Sequence, residues 1–226
     1  MHKDLRFWVD VETTGLDKKK HGIWEIAAFI TVEGEIVDKL HIRCRPAVDD
    51  EITLAAFFNN NWGIPYRSPL LKEIELWDDA LSKETKLEYI TATLMTFPPP
   101  LHAKGALMAF LETWIDKFNK KDKAHLVAYN ADFDAGFLRE FWTKMGDKYF
   151  GSWFWSTPLD ILQRAAFHLE PVRGELENMK QSTVAEYLGV NIETEQVHSA
   201  LYDIGLTIEI DKTITARESK NVGGQE

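Results

Sequence analysis

The sequence has a single cysteine, Cys44, among 226 residues, so no internal disulfide can form. Cys44 follows the alternation Leu40-His41-Ile42-Arg43, where a buried packing role is the expectation. Long apolar runs are missing too: no segment approaches the roughly 20 apolar residues needed to span a bilayer. The start, Met1-His2-Lys3-Asp4-Leu5, passes directly into a strand pattern with no leader. Together these absences predict no membrane association and a cytoplasmic location. Positive charge is scarce, with 26 lysines and arginines against 36 aspartates and glutamates and a formal charge of −10. That is the wrong sign for a protein that grips long nucleic acid mainly through phosphates. No internal repeat is visible.

Core-forming side chains are plentiful. An apolar content of 45%, with 12% aromatic, suffices for one well-packed core, and the length predicts a single domain over 1–216. The segment 5–12 reads as a strand that ends in acidic residues and enters the turn Thr13-Thr14-Gly15-Leu16. Strands over 23–32 and 35–44 meet across the hairpin signal Glu33-Gly34, giving an antiparallel meander. Residues 46–100 mix aromatics with acidic patches, and about 65–99 reads as an insertion or helical lid. Helical spacing of Leu107, Phe110, Leu111, Trp114, Ile115 and Phe118 predicts an amphipathic helix over 104–119 with its aromatics in the core. The run 125–129 reads as a buried strand leading through Asn130 into a helix. Further helices are expected over 158–168, 182–188 (stopped by Gly189) and 199–216, and 217–226 reads as a polar, disordered tail.

Chemistry-bearing residues gather at the ends of these elements. Asp10 and Glu12 are two apart on a strand, so both carboxylates share one face while Phe7, Val9 and Val11 point the other way. A solvated strand end is the plain alternative to a metal site. The Thr-Thr-Gly turn favours the metal reading, because it lets backbone pass close to a ligand where the carboxylates end. Asp134, in Asn130-Ala131-Asp132-Phe133-Asp134, sits in a first helical turn, where capping is the simpler role and Asp132 an equal candidate for the cap. The segment His198-Ser199-Ala200-Leu201-Tyr202-Asp203 places a histidine at a helix start and an aspartate on its first turns. Such a histidine is usually a polar surface group, but beside metal-bound carboxylates it can act as a general base. Four carboxylates and a histidine are the donors that two divalent ions need for phosphodiester hydrolysis. Oxygen ligands suit Mg²⁺ or Mn²⁺ rather than zinc.

These three segments resemble, in order and spacing, the motifs of the DnaQ-like, DEDDh exonuclease superfamily. The first is Asp10-Val11-Glu12-Thr13-Thr14-Gly15-Leu16, the second 130–134 and the third 198–203. The form of the third motif, with Trp24-Glu25-Ile26-Ala27-Ala28, is most similar to the ribonuclease T and proofreading-subunit branches. The resemblance implies an α/β, ribonuclease H-like fold: a mixed five-stranded sheet with helices on both faces. It implies that Asp10, Glu12 and Asp203 bind the tighter of two Mg²⁺ (or Mn²⁺) ions. Asp10 would bridge to the second ion, Asp134 would hold that ion through water, and His198 would deprotonate the attacking water. Leu16 and the backbone of Thr13 and Thr14 would contact the terminal nucleoside, with Leu16 wedged against the last base. Phe133 would pack near the bases or in the core. Trp62 falls where relatives often carry a His-Gly-Ile signature and would stack on a base.

The activity so implied is 3′-to-5′ removal of nucleoside monophosphates from single-stranded nucleic acid, DNA slightly favoured over short RNA. A catalytically silent scaffold and a phosphoesterase acting on a small nucleotide are the competing readings. Net acidity argues for short substrates, local end recognition or delivery by a protein partner, and pairing by ribonuclease T-like relatives suggests a homodimer. If 65–99 is a substrate lid, its deletion should change oligonucleotide preference while hydrolysis of a minimal dinucleotide persists. Loss of both activities in that assay would identify a folding role.

Overall fold

A computed structural model describes residues 4–59, 66–67, 70–71, 80–192 and 199–223. Its main sheet contains β1 (Leu5–Thr13), β2 (Ile23–Val32), β3 (Glu35–Arg43), β6 (His125–Ala128) and β7 (Leu159–Asp160), in the order β3-β2-β1-β6-β7. β1, β2 and β3 pair antiparallel, whereas β6 runs parallel to both β1 and β7, so the sheet is mixed, as expected. The short strands β4 (Phe58–Asn59) and β5 (Tyr66–Arg67) pair separately. The helices described are α1 (Lys83–Met95), α2 (Pro100–Glu112), α3 (Ala131–Lys144), α4 (Ile161–His168), α5 (Gln181–Leu188) and α6 (Ala200–Gly223). None of them is long and apolar enough to cross a membrane.

The apolar run of β2 is buried along almost its whole length, as befits a strand covered on both faces. β3, richer in charge, takes the exposed edge, where charged side chains discourage pairing with another chain. The hairpin between them turns on Glu33 and Gly34, both left-handed at φ 52° and 86°, the geometry that suits the twist of the flanking strands.

Alternation along β1 divides the core in two. Leu5, Phe7, Val9 and Val11 pack with Leu107 and Leu111 of α2 and Phe137, Leu138 and Trp142 of α3. On the opposite face, Trp8 packs with Ile161 of α4, Val184 and Leu188 of α5, and Ile204 and Ile208 of α6. Asp10 and Glu12 continue the Trp8 face toward the end of the strand. Cys44 is buried in the first cluster, as anticipated, and burial pushes its thiol up to about 12.

Several boundaries differ from the sequence pattern. α2 begins earlier and stops at Glu112, so Phe110 is core but Phe118 is 86% exposed. Pro100 is the reason for the early start, because its fixed φ and missing N–H suit the first helical position. Leu159 and Asp160, expected in a helix, extend the sheet, and the helix begins at Ile161. Gly189 does end α5, in the left-handed conformation at φ 78°. α6 runs to Gly223, through most of the segment whose polarity suggests a disordered tail. It is tied down where Asp211 pairs with Arg6 of β1 and Arg164 of α4.

A register shift lies where the acidic first motif begins to turn. Glu12 faces Glu25 but Thr13 faces Ile23, leaving Trp24 as the extra residue of a β-bulge. Its indole is buried against Phe57, ring centroids 5.8 Å apart, in a third cluster with Leu70, Leu71, Ile90 and Leu94. Helix α1, in the segment expected to be an insertion or lid, therefore shares a core with the motif's own strand pair. Trp24→Ala should cost about 3–5 kcal/mol in urea unfolding, whereas Phe118→Ala should change stability by less than about 0.5 kcal/mol.

Candidate active site

The site is built at the C-terminal end of β1, where the strand runs past its parallel neighbour. β6 pairs with β1 only as far as Trp8, which leaves the Val11 amide without a strand partner on that side. Asp134, on the first turn of α3, fills this gap: its Oδ1 accepts the Val11 N–H at 3.0 Å. The aspartate is buried and reaches the end of β1 from the helix layer opposite Asp10 and Glu12. Asp203 approaches from the other layer, on the first turn of α6. Gln181 of α5 donates to the Asp203 carbonyl and to Thr207 Oγ1, both at 2.7 Å, fixing that turn against its neighbour. Asp10, Glu12, Asp134 and Asp203 thus come from three elements to one place.

Burial first, and neighbouring negative charge second, raise three of these carboxyls. Burial, then the charges of Asp134, Glu12, Asp203 and Glu25, hold the Asp10 carboxyl well above the usual carboxylate range. Burial, then Glu25, Asp203 and Asp134, pushes Glu12 up to about 8. Asp134 is also raised to about 8, by burial and Asp160 against the opposing hydrogen bonds from Val11 and its own amide.

This excess of buried negative charge, carried on hard oxygen donors, is what divalent cations of the Mg²⁺ or Mn²⁺ type neutralise. On charge and donor type the residues fit such ions. Among the described residues no three His, Cys, Asp or Glu side chains converge as an ion-binding group. His198 and Trp62 lie outside the described residues.

The loop after β1 is closed by its two threonines. Thr13 Oγ1 donates to the Gly15 carbonyl at 2.7 Å. Thr14 is buried; its amide donates to Gly22 O, its carbonyl accepts from Thr53 N and its hydroxyl donates to Glu51 O. Gly15 is needed for a reason different from ligand approach: a Cβ there would stand 2.3 Å from the His21 ring. Leu16, by contrast, is 84% exposed, an apolar side chain in the loop that follows β1. Phe133 is half-buried with its ring 4.8 Å from Phe137, so it belongs to the core margin and presents only an edge.

Two contributors escaped the sequence reading. Asp160 caps two helices: its carboxylate accepts from Asn130 N and Ala131 N at the start of α3, and from Gln163 N at the start of α4. This carboxylate does the capping that the sequence assigned to Asp132 or Asp134, and Asp132 is exposed. Asn130 makes the sharp turn out of β6 in the left-handed conformation, φ 67°, which asparagine tolerates. Glu25 faces Glu12 across the strand pair and is buried, accepting from His41 Nε2 at 2.7 Å and Arg43 Nε at 3.2 Å. A lone carboxylate inside the apolar run of β2 was the signal for Glu25. For Asp160 the only hint was an acidic residue just before an apolar helix.

The comparisons with known proteins agree with this geometry. Residues 7–57 match the family model described as an exonuclease. The chain is 29% identical over 203 residues to a DNA polymerase III PolC-type protein of Clostridium perfringens, covering 90% of this chain and 11% of that protein. Among solved structures it is similar to the zinc-bound E. coli exonuclease I complex with single-stranded DNA, at TM-score 0.67 and 16% identity, over 96% of this chain and 41% of that one. A product-bound exonuclease I structure gives TM-score 0.65 and 14% identity, over 96% and 45%. At such identities the likeness is one of fold, and the chain spans less than half of each of these proteins.

Raised carboxyls bind protons more tightly in the folded than in the unfolded state, so their contribution is fully present below the unfolded values near 4.5 and is lost as pH rises through about 8. In chelator, the melting temperature should fall between pH 4.5 and 8, and added Mn²⁺ should raise it most at the alkaline end. Glu12→Gln should flatten the slope; a level profile in the unsubstituted protein would contradict the repulsion described.

Proposed function

We propose that the chain is a metal-dependent 3′–5′ exonuclease of the DnaQ-like superfamily, a reading supported by the match of residues 7–57 to the exonuclease family model and by the fold it shares with exonuclease I. It removes nucleoside monophosphates from single-stranded nucleic acid, with DNA favoured over short RNA. The observation that carries this reading is the gathering of Asp10, Glu12, Asp134 and Asp203 at the end of β1, inside and beside the segment that matches the exonuclease family. Asp10, Glu12 and Asp203 would hold one divalent cation, and Asp10 and Asp134 would contribute to holding a second. Divalent ions bound there would lower the pKa of a water and neutralise charge on the leaving 3′ oxygen.

His198, a few residues ahead of Asp203 in the chain, takes the proton of the attacking water. Leu16 projects far enough to pack against the terminal base. Thr13 and Thr14 hold the loop that presents it, and Phe133 and Trp62 are secondary base contacts. The PolC-type relative is named as a polymerase and exonuclease I was solved with single-stranded DNA, which supports the DNA preference. Action in the cytoplasm, delivery of substrate by a protein partner and homodimerisation belong to the same reading. The domain includes 1–216 and the rest of α6, with the segment at about 65–99 as an insertion.

A time course on 5′-labelled single-stranded DNA and RNA, with Mg²⁺, Mn²⁺ or chelator, tests the proposal. A metal-dependent ladder shortening from the 3′ end is expected, abolished by Asp10→Ala and slowed on the order of 10²- to 10⁴-fold by His198→Ala. Intact polymers alongside hydrolysis of a small nucleotide ester would replace it with a phosphoesterase. No hydrolysis of any kind, with binding retained, would identify a scaffold.

A further inference from the structure

Of the four carboxylates, Asp203 alone comes from the helix layer that packs on the Trp8 face of the sheet. Its approach to Asp10 and Glu12 therefore depends on how the first turns of α6 are held over β1. Those turns are weak on their own. They contain Gly205 and Thr207, both less favourable in a helix interior than alanine or leucine. Thr207 also bonds back onto its own helix, its hydroxyl donating to the Asp203 carbonyl at 2.8 Å, a contact that slightly destabilises and bends helices.

Gln181, the first residue of α5, supplies support from outside the helix. Its Nε2 lies 2.7 Å from the Asp203 carbonyl and 2.7 Å from Thr207 Oγ1. The carbonyl can only accept, and the Thr207 hydroxyl gives its proton to that same carbonyl, so both amide hydrogens of Gln181 are used. The segment that carries the glutamine is itself tied down. Tyr129, just past the end of β6, donates its hydroxyl to the Met179 carbonyl at 2.8 Å, and Tyr129 and Met179 both pack against the Trp8 cluster. A chain of contacts thus runs from the strand beside β1, through 179–181, to the backbone of Asp203.

Resting on the metal-dependent exonuclease reading above, we infer that Gln181 is a positioning residue for Asp203, fixing the backbone from which that aspartate joins Asp10 and Glu12 in holding a divalent cation. Gln181 touches neither the cation nor the substrate and acts only through Asp203. An amide suits the position because it offers two donors without adding charge to a site already rich in negative charge. Groups that orient a metal ligand in this way tune the affinity of the site.

Calorimetric titration of the chelator-stripped protein with Mn²⁺, paired with urea unfolding of the metal-free protein, tests this. Gln181→Leu, which keeps the bulk of the side chain but removes both donors, should weaken the tighter Mn²⁺ binding step about 10-fold or more. Asn178→Ala is the control. It removes the Oδ1 that accepts from Lys180 N at 2.8 Å and from Thr183 Oγ1 at 2.9 Å, so it loosens the start of α5 without touching Asp203. It should lower the urea midpoint and leave Mn²⁺ affinity unchanged. Unchanged affinity in Gln181→Leu overturns the positioning role alone, and so do equal losses of affinity in both variants, which would make Gln181 only a brace for α5. Absence of Mn²⁺ binding in the unsubstituted protein, with no shortening of labelled strands, overturns the positioning role together with the exonuclease reading.

Discussion

The hydrogen bond from the Val11 amide to the Asp134 carboxylate joins the two halves of this protein at its site. A strand that outruns its parallel neighbour exposes an unpaired donor in a buried place, which costs about 1–3 kcal/mol if left unmet. Here the donor is met by the side chain of a helix from the far layer. The strand end, the first turn of α3 and, through Asp160, the start of α4 are consequently fixed with respect to one another. Substituting any of these groups would disturb not one contact but the relative placement of carboxylates held by separate elements.

That placement opposes folding. Asp10, Glu12, Asp134 and Asp203 repel one another at the end of β1, and Glu25 adds to the repulsion even while His41 and Arg43 partner it. The surrounding packing sustains the cluster: two apolar cores on either side of the sheet, and a third that plugs the bulge at Trp24. Natural proteins accept local conflict of this kind where chemistry requires it. The conflict is between like charges, so a cation resolves it without moving the backbone.

How far the sequence could be read depended on the range of the forces involved. Period-2 alternation placed Asp10 and Glu12 on the opposite face from Phe7, Val9 and Val11, and local turn chemistry located Glu33-Gly34 and Gly189. Each of these is settled within a few residues. Asp160 was missed because its partners lie about thirty residues away in the chain. Phe118 was misjudged because helical spacing continued past the point where the helix actually ends. Polarity alone suggested a disordered tail, although the ion pairs of Asp211 with Arg6 and Arg164 reach across the fold to hold α6 in place.

The bulge at Trp24 also bears on how this domain could change over time. An inserted segment is ordinarily a free appendage, gained or lost at a surface loop with little effect on the host. Here a strand residue packs against the segment that reads as inserted: one of the largest fully buried side chains in the protein is covered by Phe57 and, from that segment, by Leu70, Leu71, Ile90 and Leu94. A descendant that discarded the segment would bare part of an indole next to Glu25 unless position 24 changed as well. That segment and the strand pair are thus bound to one another as a heritable unit.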